Sequence, residues 1–331
     1  MPSEADSTGR SSAEAGPADP PDRETDGFAG PPGSASAVEF DPRPGPRVEA
    51  GPPKHQVRCV RDATFPSTWL VPEASAAAQV ELRPGRTEIL VVGDSGRAGA
   101  AMAWRPGPEA PRRLVLPLDA LASDDLEGMA WVSDASGGRL YTLTSSGAVR
   151  SFVADGAGGL RRASGAMAIG PPPLSCPDLH EINCGKNWEG LCLRKPGSRQ
   201  RCAGYAASKA ETALYCVLRD ASGRLSIDPT RPPIELSLEN FLGRRDILSD
   251  CAFGAADGPA EDVLLVTTNV FGGSSTYVVD ESTGQSTRLE LSSTPSNEAI
   301  AVDSRGYFYA FMDDNGEVSP AARLLCTGWR P

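Results

Sequence analysis

From about residue 55 the chain is written in short apolar or alternating runs, each bounded by Gly, Asp or Ser. Period-two alternation puts successive side chains on opposite faces of a strand, whereas an amphipathic helix repeats its apolar positions every three to four residues. No segment holds a helical period beyond two turns, so the pattern predicts an all-β domain over residues 55–331. Residues 1–54 differ: they are Pro, Gly, Ser, Ala and acid, with almost no large apolar side chains. Such a stretch buries too little surface to offset its chain entropy, and a disordered tether is expected there.

Within the β region a unit repeats. PEASAAAQVEL, LEGMAWV, WEGLCLR, SDCAFGA and NEAIAVD each carry an acid, then small residues, then an apolar strand. The acids are Glu73, Glu127, Glu189, Asp250 and Glu298. Second strands follow (TEILVVGDS, RLYTLTSS, AGYAASK, DVLLVTTN, YFYAFMDD), then third strands and Gly-bearing turns. A period of roughly 40–60 residues in an all-β chain predicts propeller blades. Five units are counted, so the expected fold is a five-bladed β-propeller, with six blades as the alternative. The last unit lacks a fourth strand. HQVRCVRD, around Cys59, is placed to supply it from the other end of the domain and close the ring.

In such a ring the first strand of each blade lines the channel, and the second strand returns to the same face. The five acids and the second-strand ends, Asp94, Ser145, Lys209, Asn269 and Asp313, are therefore expected to share one channel mouth. At about 8 Å and an effective dielectric of about 20, each neighbouring carboxylate pair costs roughly 2 kcal/mol. The ring must spread, take up protons, pair with Lys209 or bind a cation. Oxygen-only donors favour a hard ion, Ca²⁺ ahead of Mg²⁺. The competing reading has the acids accept backbone hydrogen bonds and fix the loops that start each blade.

Eight cysteines show no CxxC spacing, and the histidines are His55 and His180, which argues against a zinc site. An even count without metal spacing predicts disulfides and an oxidising compartment. The expected pairs are Cys59–Cys326 across the ring closure, Cys202–Cys216 across a hairpin, Cys176–Cys184 within a loop and Cys192–Cys251 between adjacent blades. The opening MPSEADSTGR has neither a basic n-region nor an apolar h-region, so the cysteines alone speak for a secreted, periplasmic or outer-envelope lipoprotein placement. No apolar run is long enough to span a membrane as a helix. The 331 residues are 40% hydrophobic and 23% charged with net charge −11, and no Lys/Arg cluster stands out. That disfavours a nucleic-acid partner, and a monomer that binds a small-molecule or protein ligand is expected. VVGDSGRAG has no following helix to cradle phosphate, and no GxSxG elbow is present.

LEGMAWVSDASGGRLYTLTSSG is similar to the opening blade of calcium-dependent propeller hydrolases of the gluconolactonase and paraoxonase kind. Over most of residues 60–329 the chain resembles the esterase-like phytase propeller group, through NWEGLCL, ASKAETALYCV and SNEAIAVDSRGYFYAFMDDNG. The resemblance implies Glu127 as a metal ligand, with Glu189 and Glu298 as its repeats. Two departures stand beside it: the lactonase group has six blades where five are counted, and its catalytic Asp or His has no assigned counterpart. Two functions follow as expectations. One is a ligand- or partner-binding propeller with a Ca²⁺-binding mouth; the alternative is a metal-dependent hydrolase of an ester, lactone or phosphoester.

Overall fold

The computed structural model describes residues 58–94, 96, 98–134, 137–198, 200–238, 247–254, 263–270, 273–289, 297–312 and 318–327. The expected tether at 1–54 and Asp313 lie outside the described residues. Strands β1 (Arg58–Arg61) and β2 (Thr68–Trp69) precede the first full blade, β3 (Ala74–Arg83), β4 (Arg86–Gly93), β5 (Ala100–Trp104) and β6 (Arg112–Val115). Blade two is β7 (Leu126–Asp134), β8 (Gly137–Thr144), β9 (Ala148–Ala154) and β10 (Leu160–Ala168). Blade three is β11 (Trp188–Leu193), β12 (Gly204–Ser208), β13 (Ala213–Arg219) and β14 (Leu225–Ile227), with the short β15 (Ile234–Glu235) beside β13. Blade four is β16 (Ile247–Gly254), β17 (Val263–Val270), β18 (Gly273–Val279) and β19 (Ser286–Arg288). Blade five is β20 (Ala299–Val302), β21 (Tyr307–Phe311) and β22 (Ser319–Thr327).

Each blade is an antiparallel meander. The innermost strands β3, β7, β11, β16 and β20 touch in that order, and β20 returns to β3, so the sheets form a five-bladed propeller. Among the described residues there is no helix, and so none long and apolar enough to cross a membrane. The inner strands are covered on both faces, which is why β11, WEGLCL, is buried at every position. Glycine supplies the left-handed backbone of the outer hairpins, as at Gly223 (φ 84°) and Gly284 (φ 72°).

β1 completes blade five as its outer strand, antiparallel to β22, with Cys59 directly opposite Cys326 and bonded to it. Phe65, Trp69, Trp104, Tyr309 and Phe311 pack edge-on or tilted in the seam between blades five and one, and the Arg323 guanidinium lies over the Phe65, Trp104 and Tyr307 rings. Aromatic burial and a covalent staple therefore hold the one junction where the two ends of the domain meet. Cys192–Cys251 ties β11 to β16, Cys202–Cys216 ties the approach to β12 to β13, and Cys176–Cys184 closes the loop before β11.

Candidate functional site at the acidic channel mouth

The start of each of the first four inner strands carries a β-bulge, at Ser75, Glu127, Glu189 and Ser249. A bulge opposes two residues to one, so it re-aims a side chain out of the regular alternation. In blade two Leu126 pairs with Thr144 and Gly128 with Leu143, leaving Glu127 as the extra residue. Glu189 is the extra residue between Trp188 and Gly190 in the same way. In blade five Glu298 immediately precedes Ala299, the partner of Phe311, and takes the same place.

The register divides the five acids expected to form one row. Glu127, Glu189 and Glu298 are equivalent. Glu73 lies two residues before its bulge, at the position of Asp125 and Asn187. Asp250 lies one residue after its bulge, at the position of Gly128 and Gly190. The serines that replace Glu at the bulge do structural work. Ser75 Oγ donates to the Leu126 carbonyl, and Ser249 Oγ donates to the Asn297 carbonyl at 2.9 Å, each joining its blade to the next. Asp250 does the same with its carboxylate, which accepts from Cys251 N at 2.7 Å and from Ile300 N of blade five at 2.8 Å. Glu73, with a left-handed φ of 49°, accepts Asp94 N at its carbonyl, 2.8 Å away.

The glycines after Glu127 and Glu189 have a steric cause. A Cβ at Gly128 would meet Leu191 N at 2.6 Å, and one at Gly190 would meet the Asp250 backbone at 2.9 Å. The neighbouring inner strands approach too closely there for any side chain. The E-G pair is thus one acid set out of the regular alternation by a bulge and one gap that lets the next blade come in.

The second-strand ends form a second row. Asp94, Ser145, Lys209 and Asn269 each follow the residue that pairs with the position before the bulge. Asn269 Nδ2 donates to Glu298, and Lys209 Nζ pairs with Glu189 Oε1 at 2.9 Å. Ser145 Oγ donates to Asp125 and accepts Asn183 N at 3.1 Å from the loop closed by Cys176–Cys184. Asp125 is the residue that sequence reasoning passed over. Its signal was the polar residue two before the bulge, shared with Glu73 and Asn187. Oxygens of Asp94, Asp125 and Glu127 all lie within 4.8 Å of one another.

The surroundings hold this trio in place. The fully buried Arg150 side chain of β9 pairs with Asp119 at 3.0 Å and donates to the Ala122 and Ser123 carbonyls at 3.0 Å, fixing the strand that leads to Asp125. The Asp124 carboxylate accepts Gly96 N at 3.2 Å and Ala98 N at 2.9 Å, fixing the loop that follows Asp94.

Burial and like charge act together on the acids. Enclosure by protein raises Glu127 well above the usual carboxylate range, and Glu189, Asp94 and Asp125 push it further while Lys209 opposes them. Glu189, only 2% exposed, is pushed up to about 8; burial is the main cause, Lys209 offsets part of it, and Glu298 and Asp125 add to it. Asp250 is also raised well above the usual range, chiefly by burial, despite its two backbone donors. Partial burial pulls Lys209 down, but Glu189, Glu127 and Glu298 outweigh it and keep the ammonium above its usual range. The mouth therefore crowds acids whose charged forms burial and mutual repulsion disfavour and a nearby positive charge favours. Cys176, Glu181 and Cys184 also cluster, but both sulfurs are spent in their disulfide.

No family model and no curated protein matches the sequence. Solved structures match over most of the chain at low identity. A streptogramin B lyase shares 8% identity with a TM-score of 0.42, over 82% of this chain and 98% of that one. The PQQ-bound aldose sugar dehydrogenase of Streptomyces coelicolor shares 12% with a TM-score of 0.47, over 83% and 100%. An auxiliary nutrient binding protein of Bacteroides thetaiotaomicron shares 9% with a TM-score of 0.43, over 77% and 69%.

Proposed function

We propose that the chain is an extracytoplasmic ligand-binding propeller whose acidic channel mouth holds a calcium ion. One observation carries the reading: Asp94, Asp125 and Glu127 bring carboxylate oxygens within 4.8 Å of one another. Glu189 and Glu298 act on the same space, and the Lys209 ammonium offsets only part of the charge. A cluster of carboxylate oxygens that includes no imidazole or thiol among the described residues suits a hard cation that accepts many ligands in flexible geometry, as Ca²⁺ does. When bound, the ion supplies a positive charge and a Lewis-acidic point for an oxygen of a small-molecule or protein ligand. Ser145 orients Asp125 by its hydroxyl, Lys209 holds Glu189, and Asn269 holds Glu298. Four disulfides support an oxidising compartment, as in a secreted, periplasmic or outer-envelope protein. The resemblance of the E-G segments to calcium-dependent and phytase-type propellers points the same way.

Metal analysis of the purified protein and melting with and without Ca²⁺ test this reading. A stoichiometric ion and a raised Tm are expected; at one hundred times Kd the stabilisation is about 2.7 kcal/mol. Asp125→Asn and Glu127→Gln are expected to abolish the shift while the fold persists. Neither bound metal nor a melting shift in millimolar Ca²⁺ would overturn it. The hydrolase alternative draws on one feature, an enclosed Glu127 whose carboxyl is raised well above the usual carboxylate range, the direction a general acid needs. It requires Ca²⁺-dependent turnover of an ester, lactone or phosphoester that Glu127→Gln removes. No turnover with any metal, on an intact fold, leaves the binding reading standing alone.

A further inference from the structure

The inner strands run away from the acidic mouth, so the loop between β11 and β12 and the turn between β13 and β14 lie on the opposite face of the ring. Together they bound a cleft of about 480 Å³ in blade three. The chain carries a net charge of −11, yet Arg194, Lys195, Arg201 and Arg219 line this cleft against a single carboxylate, Asp220. Two of the four cations are already matched: Arg201 lies 3.1 Å from Asp228, and Arg194 pairs with Glu281. The side chains of Lys195 and Arg219 have no ion pair or hydrogen bond among the described residues.

Asp220 does not neutralise them. Its Oδ1 caps its own turn, accepting Ser222 N at 2.8 Å, the Ser222 hydroxyl at 2.6 Å and Arg224 N at 3.0 Å. Arg194 is 4% exposed, stacks 4.3 Å from the Phe253 ring centre, and keeps a buried Nε with no hydrogen-bond acceptor. The cleft therefore has one fixed guanidinium in its wall and, among its lining, two cations without an ion pair and Ser198, whose hydroxyl accepts Gln200 N at 3.3 Å and keeps its proton to donate. Several donors round one cleft exceed what the two oxygens of a carboxylate can accept, and they match the three oxygens of a phosphate. The volume falls within the range of small-molecule pockets, beyond the needs of a free anion.

We propose that this cleft is a second binding site, for the phosphate group of a small phosphomonoester. Lys195 and Arg219 supply the charge, Ser198 supplies a neutral donor, and Arg194 forms the fixed wall. The site is separate from the acidic mouth and does not depend on the metal there.

Calorimetric titration of the full chain in chelator at low salt tests it, with inorganic phosphate, phenyl phosphate and benzoate as probes. Phenyl phosphate is expected to bind saturably and more tightly than inorganic phosphate. A Lys195→Ala, Arg219→Ala double variant is expected to weaken both by at least about tenfold without lowering Tm. Arg113→Ala, which removes an exposed cation from blade one, is expected to leave the affinity unchanged. Three outcomes would each overturn the assignment: no saturable binding of either phosphate, equal binding by the double variant, or benzoate binding as tightly as phenyl phosphate.

Discussion

Lys209 Nζ lies 2.9 Å from Glu189 Oε1, so an ammonium at the acidic mouth is committed to an acid that is almost wholly withdrawn from water. Removing one partner of such a pair costs more than the pair itself contributes, because the other charge is left enclosed. The Lys209 side chain is 40% exposed, which reduces the effect. Lys209→Met is expected to lower stability in chelator by about 1–3 kcal/mol. It also removes the charge that competes with a bound cation. The Tm gain on adding Ca²⁺ should therefore be larger in the variant than in the parent chain. A smaller gain would show that Lys209 does not share the cation's space.

The pH dependence of stability in chelator has a definite sign. Glu189 titrates near its ordinary 4.5 in the unfolded chain and at about 8 in the fold. Between those values the folded state holds a proton that the unfolded state has released, so stability falls as pH rises. Burial raises Glu127 and Asp250 as well, and they act in the same direction. Urea unfolding at a series of pH values across this window should give a decline of a few kcal/mol, reduced in Glu189→Gln and reduced in the parent by Ca²⁺. A flat or rising profile would contradict the enclosed acid cluster.

The five repeats were legible because a strand reads at period two and the acid-then-apolar start of each unit recurs at a broadly similar spacing. The closing strand was legible from what the last unit lacked, and the sequence around Cys59 supplies it opposite Cys326. The row Asp94, Ser145, Lys209 and Asn269 could be counted because strands β4, β8, β12 and β17 end without irregularity. The acid row could not be counted. A bulge adds one residue before the apolar run, so spacing by eye groups Glu73 and Asp250 with Glu127, although they sit two residues before and one residue after the bulge. Asp125 was missed for the same reason: it occupies the place that Glu73 holds in blade one.

Gly128 faces the backbone of Leu191 in the next blade, and an added Cβ would lie 2.6 Å from its nitrogen. The obstacle is main chain on an inner strand, which cannot swing away as a side chain can. Gly128→Ala is expected to cost more than about 2 kcal/mol, as overpacking of a rigid core does. Gly138, where the clash is with the Trp131 ring, tests the contrast. Trp131 is only partly buried, so its side chain can move, and Gly138→Ala should cost less. Chemical denaturation of the two variants decides; equal losses would mean that the close approach of blades two and three is not the constraint.

Cys59 and Cys326 close a loop with a sequence separation of 267. On the chain-entropy account a bridge over so long a loop stabilises by roughly 5–6 kcal/mol before any strain is subtracted. Cys59→Ser with Cys326→Ser is expected to lose most of that, although the strand pairing of β1 with β22 persists. Cys176→Ser with Cys184→Ser, which opens a loop with a separation of only 8, should lose less. Reversing that order would show that blade five is held by its aromatic seam and not by the staple.

Asn297 occupies the position before the bulge in blade five, and neither Oδ1 nor Nδ2 of its fully buried amide has a hydrogen-bond partner among the described residues. The equivalent residues in blades one to four are Ala74, Leu126, Trp188 and Leu248, all apolar and packed between sheets. A buried amide without partners costs about 1–3 kcal/mol, and leucine has the same branched outline with no polar atom to leave unpaired. Its backbone carbonyl accepts from Ser249 Oγ, a contact that a side-chain exchange leaves intact. Asn297→Leu is therefore expected to raise stability by about 1–2 kcal/mol in chelator without changing the Ca²⁺-induced shift. If the exchange lowers stability and also weakens the response to Ca²⁺, the amide belongs to the mouth beside Glu298 and not to the packing between blades four and five.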